Sequence, residues 1–135
     1  MIQISTDKTK LNIDLIHEYL SKESYWAIDR DIEVVKRSID NSLCFGLYLE
    51  NKQIGFARVV SDYAVFAWIM DVFILKDYRG LGYGKKLMNF IMTHEKLQNL
   101  QRWGLGTDDA HGLYEQFGFK PLSKPQSMME IKCIK

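Results

Sequence analysis

The chain is poor in cysteine, in proline and in net charge. Cys44 and Cys133 are the two cysteines in 135 residues. They lack CxxC spacing and a nearby ligand partner, which excludes a disulfide framework and a structural zinc site and predicts reduced core thiols. With two prolines and no tract rich in Ser, Gly or Pro, nothing reads as a linker, so residues 1–135 are expected to form one domain. Eighteen basic against seventeen acidic residues leave a formal charge of +1, too little to hold a nucleic-acid backbone or an anionic membrane. The longest apolar stretch, around residues 63–70, falls far short of the roughly 20 residues of a membrane helix. The start, Met1-Ile2-Gln3-Ile4-Ser5-Thr6, has neither the basic region nor the apolar core of a signal peptide. These absences predict a cytoplasmic protein with no metal, nucleic-acid or membrane partner. What is present, 47% hydrophobic and 26% charged residues, suits a globular domain that buries about two-thirds of its unfolded surface.

Periodicity divides the chain into short elements. Residues 2–5 read as a strand. Leu11, Leu15 and Tyr19 recur at helical spacing over residues 10–21, and Ile32, Val35 and Ile39 mark a second helix over 32–40, with Asp29 or Asp31 suited to cap it. Residues 43–49 and 53–60 form a hairpin about Glu50-Asn51-Lys52, and 63–75 is a long third strand rich in β-branched and aromatic side chains. A helix opens after a glycine-rich segment and runs to about residue 96, with Leu87, Phe90, Ile91 and His94 inward. Residues 103–107 read as a strand, 110–117 as a short helix ended by Gly118, and Met129, Ile131 and Cys133 alternate with Glu130 and Lys132 in a last, half-buried strand. The expected order is β-α-α-β-β-β-α-β-α-β, a mixed α/β (α+β) domain in which an antiparallel meander leads into a βαβ unit.

The most informative stretch is Arg79-Gly80-Leu81-Gly82-Tyr83-Gly84-Lys85-Lys86, which joins a strand to a helix. Alternate glycines permit unusual dihedrals and close approach of a ligand. The first amides of the helix lack internal partners and carry the positive end of its dipole. Together they suit a phosphate or pyrophosphate, with Arg79, Lys85 and Lys86 as cations at the rim. A P-loop would need a hydroxyl after GK, where this chain has Lys86 and Leu87. A dinucleotide fingerprint would need GxGxxG, and the spacing here is GxGxG behind an antiparallel meander. A purely structural turn needs neither three glycines nor three cations.

Arg79-x-x-Gly82-x-Gly84 resembles the [Q/R]-x-x-G-x-[G/A] signature of the GNAT superfamily of acyl-CoA-dependent N-acetyltransferases. Leu113-Tyr114-Glu115-Gln116-Phe117-Gly118-Phe119 is similar to the L-Y-x-x-x-G-F element near the end of that domain, and the element order agrees throughout. The resemblance implies acetyl-CoA as co-substrate. Its pyrophosphate would rest on the turn at Gly80, Leu81, Gly82, Tyr83, Gly84 and Lys85 beside Arg79. Its pantetheine arm would pair with strand backbone at Val72, Phe73 and Ile74, where two parallel strands splay. Where the family often carries proline, this chain has Lys76-Asp77, and aspartate sustains the turn.

Acetyl transfer to an amine needs a neutral nucleophile, oxyanion stabilisation and a proton for the thiolate. The resemblance gives the last task to Tyr114; the alternative is a core aromatic beside Phe117 and Phe119. Asp71, charged within an apolar strand on the face opposite Met70 and Val72, is a candidate base or an anchor for a loop. His111, three residues before Tyr114 and on its helical face, is a second candidate base or a cap. A backbone amide at Phe73 or Ile74 would polarise the carbonyl, and the amine can also lose its proton to water. His17 and His94 read as boundary residues, and Asp108-Asp109 as a helix N-cap.

For the acceptor, the segment Ser24-Tyr25-Trp26-Ala27-Ile28-Asp29-Arg30 concentrates aromatics on an expected loop. Tyr25, Trp26 and Trp68, with Phe66 and Met70 facing the same way as Trp68, would wall an amine pocket. Arg30 could instead fix a carboxylate, or Trp26 could simply cover the core. The loop 120–126 would form the other lip. The expected reaction is transfer of acetyl to a small primary amine by direct attack in a ternary complex, in a monomer or a homodimer. A protein or peptide acetyltransferase and a non-catalytic acyl-CoA sensor are the alternatives. Gly82 or Gly84 changed to a β-branched residue is expected to abolish cofactor binding with little loss of fold, and loss of Arg79 to weaken it.

Overall fold

The computed structural model describes residues 1–133. Five strands, β1 (Ile2–Ser5), β2 (Leu43–Leu49), β3 (Lys52–Ser61), β4 (Phe66–Ile74) and β5 (Arg102–Leu105), lie in sequence order across one sheet. All neighbours are antiparallel except β4 and β5. The β2–β3 turn places Glu50 and Asn51 both at positive φ, the geometry whose twist suits a tight hairpin. The turn before β4 is tied by the Asp62 carboxylate, which accepts from the amides of Ala64, Val65 and Phe66. These bonds start β4 at Phe66, three residues later than periodicity implies.

Helices α1 (Ile13–Glu18) and α2 (Ile32–Asp40) cover one face, and α3 (Tyr83–Met92) and α4 (His111–Glu115) the other. The expected helix over residues 10–21 is broken up: Asn12 caps α1 by accepting from the Leu15 amide, and Tyr19–Glu23 continue as a π-helical turn. Asp31 is the N-cap of α2 through its backbone, without a side-chain bond. The α1–α2 face buries Ile16, Leu20, Val35, Ile39, Cys44, Phe56 and Phe73, with Tyr19 stacked on Phe73 at 4.0 Å. The α3–α4 face buries Phe45, Val59, Ile69, Leu87, Met88 and Ile91. Packing on both faces explains the unbroken burial of β2 and most of β3.

Two expectations fail here. The strand over 129–133 does not form: Met129 and Ile131 are 95% and 91% exposed, and Cys133 is exposed rather than in the core. Alternation alone does not make a strand without a ladder to complete its hydrogen bonds. The second concerns Asp71. Arg58 pairs with Met70 and Phe56 with Phe73, so β4 carries one extra residue, a bulge, with Asp71 at φ +55°. The bulge turns Asp71 onto the same face as Met70, where Arg58 reaches both side chains. Strict alternation put them on opposite faces.

Candidate active site

The β4–β5 ladder runs from Phe66–Arg102 to Ile69–Leu105 and stops. β4 continues to Ile74, so Met70 to Ile74 face the gap without a β5 partner. A cleft of about 600 Å³ opens there, lined by Trp68, Met70, Asp71 and Val72, by Leu105 to Ala110, by Tyr114, and by Tyr25, Trp26 and Arg30. Phe66 does not line it. Trp68 enters the cleft wall because it lies over Gly104: a Cβ at 104 would stand 2.3 Å from the indole.

At the cleft floor the Asp71 side chain, 1% exposed, accepts three hydrogen bonds. Trp26 Nε1 donates to Oδ1, and Arg30 Nη1 and Arg58 Nε donate to Oδ2, all at 2.9 Å. Arg58 also donates to Ser42 Oγ and Met70 Sδ. The segment carrying Trp26 and Arg30 is thereby clamped to the β4 bulge. It is held further by Arg30 N to Ala27 O, by His17 Nε2 against Arg30 O at 3.0 Å, and by the Asp108 amide donating to Tyr25 Oη at 2.8 Å. Asp108 and Asp109 do not cap α4. Its N-cap is Ala110, and Thr107 Oγ1 accepts from the amides of Asp109 and Ala110, which leaves both carboxylates on the cleft wall.

Tyr114 is 8% exposed and lines the cleft. Burial, reinforced by Tyr25 and Asp109, pushes its hydroxyl up to about 12, so it stays protonated throughout the neutral range. His111 is exposed and lines a neighbouring groove with Trp103, Phe119 and Pro121; Tyr114 lines that groove as well as the cleft, so the two side chains of one helical face do meet, but in the second groove.

At the turn, Gly80 and Gly82 sit at φ +78° and +84°, the left-handed region that glycine enters without cost. The first i→i−4 bond of α3 runs from the Lys86 amide to Gly82 O, leaving the amides of Tyr83, Gly84 and Lys85 without an intrahelical acceptor. A Cβ built at Gly80 or Gly82 meets no atom within 4 Å, and one at Gly84 meets only Leu113 Cδ2 at 3.6 Å. Open amides above open space fit a pyrophosphate. Arg79 turns inward: Nε donates to Ile74 O at 2.9 Å and Nη2 to Tyr19 Oη at 2.6 Å. It staples the turn to β4 and the π-helical turn while remaining exposed, as are Lys85 and Lys86 beside the amides.

A profile of the acetyltransferase (GNAT) domain matches residues 40–121, from the end of α2 past the turn and α4. The chain belongs to the GNAT acetyltransferase family. Among solved structures, this GNAT chain superposes with a TM-score of 0.96 on a Xanthomonas campestris protein described as belonging to the same family. The two are 50% identical over 98% of this chain and 94% of that one. A protein from Gracilaria tenuistipitata named as the uncharacterized N-acetyltransferase ycf52 is 33% identical, with 78% of this chain and 68% of its own covered. A Clostridium acetobutylicum structure crystallised with acetyl-CoA shares the fold, at a TM-score of 0.72 and 14% identity over 98% of this chain and 96% of that one. GNAT enzymes take their acyl group from acetyl-CoA, and the expected α+β domain with a mixed, mostly antiparallel sheet stands, with five strands where the sequence implied six. Among the described residues no helix is long and apolar enough to cross a membrane, and no group of three or more acidic, His or Cys side chains clusters as a metal site.

Arg58 escaped the sequence reading. It is charged within an apolar strand, the same signal that singled out Asp71. Glu130 and Lys132, taken as faces of a strand, stand at the cleft instead.

Proposed function

We propose that this protein transfers acetyl from acetyl-CoA to a small primary amine by direct attack in a ternary complex. One observation carries the reading: a single cleft joins the unpaired stretch of β4, the Tyr114 hydroxyl and the aromatic segment clamped by Asp71. The amides of Tyr83, Gly84 and Lys85, with Gly80, Leu81 and Gly82 keeping the turn open, would hold the pyrophosphate. The backbone of Val72, Phe73 and Ile74 has no strand beside it on the β5 side and offers N–H and C=O groups to the pantetheine amides, as a sheet edge does to an added strand, although Ile74 O already accepts from Arg79 Nε. Bound there, acetyl-CoA supplies the thioester carbonyl.

The residues of the chain supply the rest. A β4 amide beside the bulge polarises the carbonyl oxygen. Tyr114 Oη, kept protonated by burial, offers its proton to the departing sulfur. Asp71 acts as a positioning residue: its two oxygens are taken by three donors, and its effect on the reaction passes through Trp26 and Arg30. No side chain is assigned the amine's proton, which the amine loses to water. His111 borders the second groove, which Tyr114 also lines, and is given no part in the transfer. Asp108, Asp109 and Glu130 at the wall favour the approach of a cationic amine.

The test is release of free CoA thiol from acetyl-CoA across polyamines, aminoglycosides, amino acids, arylalkylamines and short peptides, for wild type and Tyr114→Phe. Turnover on small amines that falls about 10²-fold in kcat in the variant, with the acetyl-CoA KM held, is the expected result. Turnover confined to peptides would make it a peptide acetyltransferase, and acetyl-CoA binding without turnover on any amine a sensor. Elution as a monomer or as a dimer on size-exclusion chromatography decides between the two assembly states.

A further inference from the structure

The charges on the cleft floor do not balance. One buried carboxylate, Asp71, faces two guanidiniums, with side chains 8% exposed at Arg58 and 19% at Arg30. Each nitrogen of Arg58 is engaged, with Asp71, Ser42 Oγ and Met70 Sδ. Arg30 is different. Nη1 donates to Asp71 Oδ2, and among the described residues nothing accepts from its Nε or Nη2. Its backbone is pinned at both ends by Ala27 O and His17, so the half-engaged fork is fixed in the cleft wall beside Trp26 and Trp68. A guanidinium held this way is prepared for a planar oxyanion, because the fork matches two carboxylate oxygens and little side-chain freedom remains to be lost.

The remaining ionised groups of the cleft have the opposite bias. Asp108, Asp109 and Glu130 outnumber Lys132. A wall with surplus positive charge on its floor and surplus negative charge at its lip complements a molecule carrying one charge of each sign. We infer that the acceptor amine bears a carboxylate and that Arg30 binds it, making the acceptor an amino acid or a close relative rather than a simple amine or polyamine. This inference rests on the cleft being the acceptor site of an acetyltransferase.

The experiment uses the full chain, saturated with acetyl-CoA for rates and with CoA for calorimetric binding. The amines are matched pairs differing in the anionic group alone: tryptamine and tryptophan, phenethylamine and phenylalanine, putrescine and ornithine, ethanolamine and its phosphate. In at least one carboxylate pair, the carboxylated member should have a kcat/KM and an affinity at least about tenfold higher, the scale of one charge-assisted forked pair. Arg30→Lys keeps a cation for Asp71 but loses the fork, so it should abolish that preference while thermal unfolding confirms that the protein is folded. Arg30→Gln serves as the second variant. Equal binding of both members of every pair, a preference confined to the phosphate pair, or a preference kept by both variants would overturn the inference. If no amine turns over while acetyl-CoA still binds, the acetyltransferase reading falls, and the binding comparison still decides whether Arg30 is a carboxylate site.

Discussion

Replacing Asp71 by Asn separates a positioning role from a basic one. Asparagine enters the left-handed region about as readily as aspartate, so the φ of +55° is kept and the perturbation is confined to charge and hydrogen bonding. The carboxylate accepts from three donors, whereas the amide has one acceptor oxygen and an NH2 group. In its better orientation the oxygen faces the guanidiniums and the NH2 faces Trp26 Nε1. Arg30 can turn toward solvent, but Arg58, 8% exposed, cannot. Removing one partner of a buried pair costs about 3–5 kcal/mol, and the retained oxygen puts this case near the low end. A loss of about 3 kcal/mol is a large share of the roughly 5–15 kcal/mol that holds a domain together, and in a chain of this size it lowers Tm by roughly 10 °C. Urea unfolding followed by tryptophan fluorescence measures it. Asp71→Asn/Arg58→Met, which removes both charges, should recover part of the loss. Kinetically, a loosened acceptor segment raises the acceptor KM more than it lowers kcat. A cost under about 1 kcal/mol, or a kcat fall of 10²-fold or more at unchanged acceptor KM, would refute the positioning role.

Gly84→Ala should leave stability unchanged or raise it by up to about 1 kcal/mol, since the position is helical and its Cβ is accommodated, yet weaken acetyl-CoA binding in calorimetry. Gly82→Val should lose fold as well, by about 1–2 kcal/mol in urea, because a β-branched residue resists φ +84°; the sequence-based expectation of little loss applies to Gly84 alone. Gly104→Ala drives a methyl into the Trp68 indole and should cost about 1–3 kcal/mol, with a shifted tryptophan emission as the check. Burial pushes the Cys44 thiol up to about 11 from its ordinary 9.0. The unfolded chain therefore releases that proton first, and stability should fall as pH rises from 9 to 11, less steeply in Cys44→Ala.

The strands and helices that bury a periodic face were legible: β1, β2 and α2 lie where the apolar spacing puts them, and the glycine turn announced the left-handed backbone at Gly80 and Gly82. What was hidden arises from contacts distant in sequence. The bulge that turns Asp71 depends on register against β3, and a period of two has no means of marking an extra residue. The Asp71–Arg58 pair spans two strands, and Arg79 is held by Ile74 O and by Tyr19, sixty positions earlier, a partner that no local pattern marks. His111 and Tyr114 share a helical face by arithmetic, but that Tyr114 and Trp68 border two cavities, and His111 only the second, depends on Trp68 lying on Gly104 across the ladder. The alternation at 129–133 is real as a pattern, and it lacks a neighbouring strand.

The two thiols, so differently housed, make a natural pair for selective labelling. Cys44 is 1% exposed with its thiol held up to about 11, so at pH 7 it presents almost no thiolate to a maleimide. Cys133 is exposed and follows Lys132, which lines the cleft. A dye introduced at neutral pH therefore favours Cys133, one residue beyond a side chain of the cleft wall. Its emission then reports ligand entry directly in the wild-type sequence, without an engineered cysteine.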